Sequence, residues 1–308
     1  MTLQQMHYLV AVNKHRHFNR AAEECGVTQP TLSAMILKLE EELDVKIFDR
    51  SSYPIVPTLI GKRLIDQARV VLNHVESMKE IVQSQKLTTQ GRLRIGIIPT
   101  VAPYLVPSFI DEYSQMFPHV ELNLADMRTA QLLEKLKRAE IDFGIAATPL
   151  NDSAVYEIPL YYERFVAYVS PKEPFWTHQH ISSKELNGEH LWVMSEGHCF
   201  RNQVQNFCKL ATPKQRIYEA GSIHTLIQIV DTSGGYTIIP ELHIDFLTEA
   251  QKTNLRPLEE PIATREISLL IRKDCVRERL VNTVAEVVKK IIPPVILDER
   301  FKKFSIRI

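Results

Sequence analysis

No run of eighteen or more apolar residues occurs in this 308-residue chain, so no membrane-spanning helix is expected. The start, Met1-Thr2-Leu3-Gln4-Gln5, does not join a basic stretch to an apolar one; no secretory signal is expected, and the reading is cytoplasmic. Net charge is missing too: 37 Lys and Arg stand against 37 Asp and Glu. That removes any global electrostatic argument for nucleic acid. The first sixty residues are no more basic, with six Lys or Arg against seven Asp or Glu. DNA binding by that segment has to rest on local geometry, with a modest non-specific affinity that salt weakens strongly.

Cysteine is scarce, at four residues. In a reducing compartment a transient, sensing disulfide is the usual exception to the rule against disulfides. Cys25 and Cys275 sit singly in amphipathic segments and read as packing. Cys199 and Cys208 share one stretch, Gly197-His198-Cys199-Phe200-Arg201 through Phe207-Cys208. A thiol beside His198 and Arg201 has its pKa lowered and is more nucleophilic, and Cys208 is a candidate resolving thiol. Nine helical steps would separate the two Cα atoms by about 13 Å, whereas a disulfide needs about 4.4 to 6.8 Å. If the segment is helical, bond formation requires local refolding, as a redox switch does. Phe200 and Phe207 equally allow two inert core thiols. His198, Cys199 and Cys208 lack the close ligand pairs of zinc modules, and no metal or cofactor is expected.

The length suggests two or three domains. Leu3, Met6, Leu9 and Val10 repeat at helical spacing, Phe18, Ala21, Ala22 and Cys25 give a second short helix, and Gly26 ends it. Thr28 can cap a third helix with Pro30 in its first turn and Leu32, Ile36, Leu39 and Leu43 as its buried stripe. Its other face carries Gln29, Thr31, Ser33, Ala34, Leu37 and Lys38. Gln29 suits a bidentate contact to adenine, Thr31 and Ser33 suit bases or phosphates, and Lys38 suits a phosphate. A capped helix with a solvated polar face explains the same pattern. Residues 45–50 and 55–58 read as a two-stranded wing with Arg50 placed for a phosphate. Leu64, Ala68, Val71, Val75, Met78 and Val82 then form a heptad seam suited to pairing two chains.

Thr88-Thr89-Gln90-Gly91 marks a boundary, after which strands and helices alternate in an α/β pattern. Strands are expected at 92–100, 120–125, 142–147, 165–170, 191–195, 216–220, 236–240 and 267–272, with helices such as 129–140 and 223–231. The crossovers predict parallel sheets. Ligands bind beyond the carboxyl ends of such strands, which makes Thr100 and Thr129 candidates; Thr129 also reads as a plain N-cap.

The run Thr28-Gln29-Pro30-Thr31-Leu32-Ser33, with Leu39-Glu40 and Phe48-Asp49-Arg50, resembles the winged helix-turn-helix of LysR-type transcriptional regulators. More narrowly, His15-Arg16-His17-Phe18, Ile98-Pro99-Thr100 and Gly197-His198-Cys199 with Arg201 and Cys208 resemble the OxyR-like, hydrogen peroxide-sensing branch of that family. The resemblance implies a winged DNA-binding domain over 1–60, including Pro30 in the reading helix, a dimerisation helix over 61–87, and a regulatory domain over 92–308. That last domain is similar to periplasmic binding proteins, with subdomain I at about 92–164 plus 268–308 and subdomain II at about 165–267. It implies Cys199 as the peroxidatic thiol and Cys208 as the resolving thiol. Thr100, Thr129, His198 and Arg201 would line the peroxide pocket, with Arg265, before the last strand, nearby. The implied partners are promoter DNA, hydrogen peroxide, RNA polymerase, a dithiol reductant such as glutaredoxin or thioredoxin, and a second copy or three further copies of the chain. A stoichiometric switch of this kind is not an enzyme in the usual sense. The rival readings are a LysR-type regulator answering to a small organic effector, and a thiol peroxidase.

Overall fold

In the computed structural model of the chain, residues 1–83, 90–182, 185–186, 188, 190–194, 204, 216–217, 222–259, 263–275, 277–297 and 306–307 are described. They fall into two units, one built on the first four helices and one on the mixed sheet that follows.

Thr2 opens α1 (Leu3–His15) with a capping box, its hydroxyl accepting from the Gln5 N–H while Gln5 Oε1 accepts from the Thr2 N–H. The helix buries Gln5, Tyr8, Leu9, Ala11 and Val12. Of the expected stripe Leu3, Met6, Leu9 and Val10, only Leu9 is fully buried. Apolarity missed Gln5, whose burial is tolerated because Thr2 takes its oxygen and its Nε2 donates to the Met35 carbonyl at 3.2 Å. Next come α2 (Phe18–Glu24) and α3 (Gln29–Glu42), the latter capped by Thr28 accepting from the Thr31 N–H. Leu32, Ile36 and Leu39 are buried as expected, with Leu43 half-buried at the C-cap.

The wing is short: β1 (Phe48–Asp49) pairs antiparallel with β2 (Val56–Pro57). Then α4 (Leu59–Gln83) runs for 25 residues, about 37 Å at the helical rise. Gly61 admits no side chain, since a Cβ there would lie 1.9 Å from the Ile47 carbonyl oxygen. Ile65 joins the core of this unit and Leu64 packs on it. Ala68 is buried, Val71 and Val75 are half-buried and Met78 is exposed; the side chain of Val82 lies outside the described residues.

In the second unit β3 (Gly91–Ile97) lies parallel to β4 (Val120–Asp126) and to β5 (Phe143–Thr148), with α5 (Ala102–Met116) and α6 (Thr129–Lys137) as crossovers. The expected helix to residue 140 stops at 137, and Ala139 takes a positive φ of 55°. The strand β6 (Val155–Val169) is 15 residues long. After β7 (Trp192–Val193), β8 (Arg216–Ile217), α7 (Ile223–Ser233), β9 (Tyr236–Pro240) and β10 (Leu255–Pro257), the chain re-enters the sheet as β11 (Ala263–Arg272). It closes with α8 (Glu278–Ile291) and β12 (Ile306–Arg307).

The expectation of parallel sheets is corrected here. β11 is antiparallel to both β5 and β6, and β6 is antiparallel to β9 and β10. The alternation rule governs strands joined by a crossover helix; β11 returns from far along the chain and wedges between β5 and β6, so its direction is set by that return.

The long strand β6 passes between two cores. Its residues through Tyr161 belong with Leu93, Phe109, Phe143 and Val284, and those from Phe165 belong with Leu226, Val230 and Ile238. β11 passes back, with Ala263 in the second core and Ile267 in the first. Among the described residues no helix is long and apolar enough to cross a membrane.

Candidate functional site

Two groups of candidate residues stand on the described structure. In the first unit, Gln29, Pro30, Thr31 and Lys38 are exposed on α3 and Ser33 is half-buried. Arg50 leaves the wing and turns toward α3: its guanidinium donates to Ser33 Oγ at 3.2 Å and to Glu40 Oε2 at 3.1 Å, and lies over the Phe18 ring. Glu40 is buried, and its Oε1 accepts from the backbone N–H groups of Ile47 and Phe48. One carboxylate thus ties the α3 helix to the wing and orients Arg50. The sequence flags Arg50; Glu40 enters only as part of a motif, because it opens the acidic run Glu40-Glu41-Glu42, which reads as a solvated face.

In the second unit three threonines follow aligned positions of the parallel strands: Thr148 ends β5, while Thr100 lies in the turn after β3 and Thr129 opens the helix after β4. Ile97 of β3 aligns with Asp126 of β4 and Ile145 of β5, and Thr100, Thr129 and Thr148 each stand three residues further on. This is the carboxyl edge of the parallel strands, where α/β proteins bind ligands. Thr129 begins α6, and its Oγ1 is buried with no hydrogen-bond partner among the described residues, so it does not act as a cap. The sequence reading passed over Thr148, whose hydroxyl donates to Glu266 Oε1 at 2.9 Å and lies 2.6 Å from Ser268 Oγ. The rule that singled out Thr100 finds it.

Thr100 is buried, and Arg265 reaches it. Arg265 Nη1 donates to Thr100 Oγ1 at 2.9 Å and Nη2 to the Thr100 carbonyl at 3.2 Å. The residue lies within β11, not before the last strand as expected, because that strand begins at Ala263 and not at 267. Glu163 of β6 is its cross-strand partner. Glu163 Oε2 accepts from Arg265 Nε at 2.8 Å, lies 2.7 Å from Nη2, and accepts from the Tyr104 hydroxyl at 3.2 Å. Tyr104 and Tyr161 share a further 2.7 Å hydroxyl contact. Burial alone would lower the Arg265 pKa; the Glu163 charge outweighs it and raises it, so the guanidinium stays protonated. Burial raises the Glu163 pKa, and Arg265 pulls it back. Beside Tyr104 lies His243, ring centroids 5.8 Å apart, whose pKa is pushed down to about 3 by burial and then by the Arg265 and His224 charges.

His198, Cys199, Arg201 and Cys208 lie outside the described residues. Cys25 and Cys275 are half-buried free thiols packed against their cores, with pKa values raised by burial.

Comparison with known proteins matches residues 3–62 to the description "Bacterial regulatory helix-turn-helix protein, lysR family" and residues 87–291 to "LysR substrate binding domain". The chain is 36% identical over 299 residues to a hydrogen peroxide-inducible genes activator of Haemophilus influenzae, covering 95% of this chain and 99% of that protein. It is 37% identical over 273 residues to the DNA-binding transcriptional dual regulator OxyR of Escherichia coli, covering 88% and 90%. Among solved structures, a full-length OxyR variant from Pseudomonas aeruginosa superposes with a TM-score of 0.82 at 32% identity over 94% of this chain and 95% of that one. A hydrogen peroxide-bound OxyR mutant from Corynebacterium glutamicum gives 0.63 at 26% identity over 99% of each.

Proposed function

We propose that this chain, which belongs to the LysR family of bacterial transcriptional regulators, senses hydrogen peroxide through Cys199 and Cys208 and converts the oxidation into altered promoter contacts. It is a regulator and not an enzyme, as its relatives are. The observation that carries the peroxide reading is the buried Thr100 hydroxyl held by Arg265 at the carboxyl edge of the parallel strands, in a chain that also carries the Gly197-His198-Cys199 motif.

In this reading the Cys199 thiolate, favoured by His198 and Arg201, attacks one peroxide oxygen. The S–O bond forms as the O–O bond breaks, sulfur loses two electrons, and the departing hydroxide takes a proton to become water. The Cys208 thiolate then displaces the sulfenic oxygen as a second water, leaving a disulfide. The threonine hydroxyls and Arg265 orient the peroxide. A cellular dithiol such as thioredoxin or glutaredoxin resets the switch by exchange.

The winged domain is read as residues 1–60, with Gln29, Pro30, Thr31, Ser33, Lys38 and Arg50 meeting duplex DNA. Residues 61–87 join two chains along the Leu64 to Val82 seam, in a dimer or tetramer that acts with RNA polymerase in the cytoplasm. Residues 92–308 form the redox domain, its subdomains dividing near 164 and 268.

The test is intact mass and peptide mapping of the reduced protein after one equivalent of hydrogen peroxide, with free thiols trapped. The expected result is a loss of two hydrogens mapped to a Cys199–Cys208 bridge. Two slowly labelled free thiols instead would overturn the reading in favour of an organic effector.

A further inference from the structure

We infer that Glu163 is a positioning residue for the peroxide chemistry: acting through Arg265, it fixes the Thr100 hydroxyl as a hydrogen-bond donor. The inference rests on the peroxide-sensing reading above and concerns a residue outside that reading.

A guanidinium donates and never accepts. With Arg265 Nη1 2.9 Å from Thr100 Oγ1, that oxygen is the acceptor, and the Thr100 proton is directed elsewhere. The orientation holds only while the guanidinium cannot rotate. Glu163 Oε2 contacts both Nε and Nη2, at 2.8 and 2.7 Å, and both side chains have zero exposure, so no water competes for the fork. The two residues are opposed by strand register, which makes the geometry a property of the sheet. Tyr104 donates to the same carboxylate oxygen.

The charge balance gives this arrangement a signature. Glu163 cancels the Arg265 charge nearby, so Arg265 does little to favour a thiolate through space. Replacing the carboxylate by a neutral amide uncovers that charge, which favours a thiolate, and leaves only a weaker, uncharged acceptor on the guanidinium, which loosens its hold on Thr100 and weakens that donor as the peroxide O–O bond breaks and negative charge builds on the departing oxygen. The two effects on peroxide reduction have opposite sign.

The experiment uses the full chain and measures the second-order rate of thiol loss to hydrogen peroxide alongside alkylation by iodoacetamide from pH 5 to 9. The proteins are the unsubstituted chain, Glu163→Gln, Thr100→Val and the double variant. Glu163→Gln is expected to slow peroxide reaction about tenfold or more while alkylation at neutral pH is unchanged or faster. In the Thr100→Val background it is expected to add less than about twofold, since residues acting through one group are not additive. A peroxide rate that is unchanged, or that rises with alkylation, overturns the inference, as does a full extra loss in the Thr100→Val background. If Glu163→Gln does not fold, Glu163→Asp takes its place: it keeps the charge but draws the carboxylate back from the guanidinium, so the peroxide reaction is expected to slow with alkylation unchanged, and an unchanged peroxide rate there overturns the inference. Failure of the unsubstituted chain to react with peroxide would sink the sensing reading itself, and with it this inference; a reacting parent with an equally fast Glu163→Gln sinks the positioning role alone.

Discussion

Arg265 and Glu163 face each other across adjacent antiparallel strands, their side chains wholly removed from solvent and 2.7 Å apart. They sit where the chain passes between its two cores: Glu163 between Tyr161 of the first and Phe165 of the second, Arg265 between Ala263 of the second and Ile267 of the first. Crossing strands in such a place carry an ion pair at a large desolvation cost, offset only when hydrogen bonds satisfy both ions. Here Thr100 serves the guanidinium and Tyr104 serves Glu163 Oε2, while Glu163 Oε1 is buried with no hydrogen-bond partner among the described residues.

Removing one ion from this pair is therefore expected to cost far more than removing both. Arg265→Met should lower stability by about 3 to 5 kcal/mol, since it leaves a buried carboxylate alone, whereas Arg265→Met with Glu163→Leu should regain at least half of that. Urea unfolding of the three proteins at neutral pH measures this. A double variant as unstable as the single one would mean that shape, not charge, accounts for the loss.

His243 is expected to make the fold sensitive to acid. Its folded pKa is pushed to about 3 by burial first, with the Arg265 and His224 charges adding to it, while an unfolded histidine titrates near about 6.5. Between those values the unfolded chain binds a proton that the folded chain refuses. The stabilisation is complete above about pH 6.5 and is lost as pH falls toward 3, by up to ~1.4 kcal/mol per pH unit. Urea midpoints from pH 7 to 5 should fall more steeply for the parent than for His243→Gln. Parallel slopes would count against a buried, neutral imidazole.

The outline of the fold was legible because it rests on apolar periodicity: the α3 stripe, the strand at 236–240 and the start of the helix at 223 read directly. What was lost lies where charge enters the interior. The apolar pattern marks strands at 165–170 and 267–272, yet they run Val155–Val169 and Ala263–Arg272. The missing parts contain Glu163, Arg164, Arg265 and Glu266, which a polarity pattern assigns to a loop or to solvent. The burial of Glu163, Arg265 and Glu266 follows from pairing between residues about a hundred positions apart, which no local window contains. Thr100 was found by its place after a strand. Glu163, the β6 partner of Arg265, is not found that way, since nothing in Tyr162-Glu163-Arg164 distinguishes a buried carboxylate from an exposed one.

The same blindness hid Glu40, which makes the winged unit a sharp test of coupling between fold and DNA contact. Its carboxylate accepts from the Ile47 and Phe48 N–H groups and from Arg50. Glu40→Ala leaves two backbone donors without their acceptor and is expected to cost about 1 to 3 kcal/mol. Glu40→Gln retains an acceptor for the backbone and should cost less, but it loses the charge that holds Arg50 against α3. If Arg50 meets a phosphate, Glu40→Gln should therefore fold and yet bind promoter DNA more weakly, with the salt dependence of binding reduced by about one ion, as for loss of a single phosphate contact. Lys38→Ala, which removes an exposed cation from α3, is the reference for that slope. Binding titrations at several salt concentrations separate the cases: a Glu40→Gln variant with parental affinity and slope would show that Arg50 serves the packing of the wing and not the DNA.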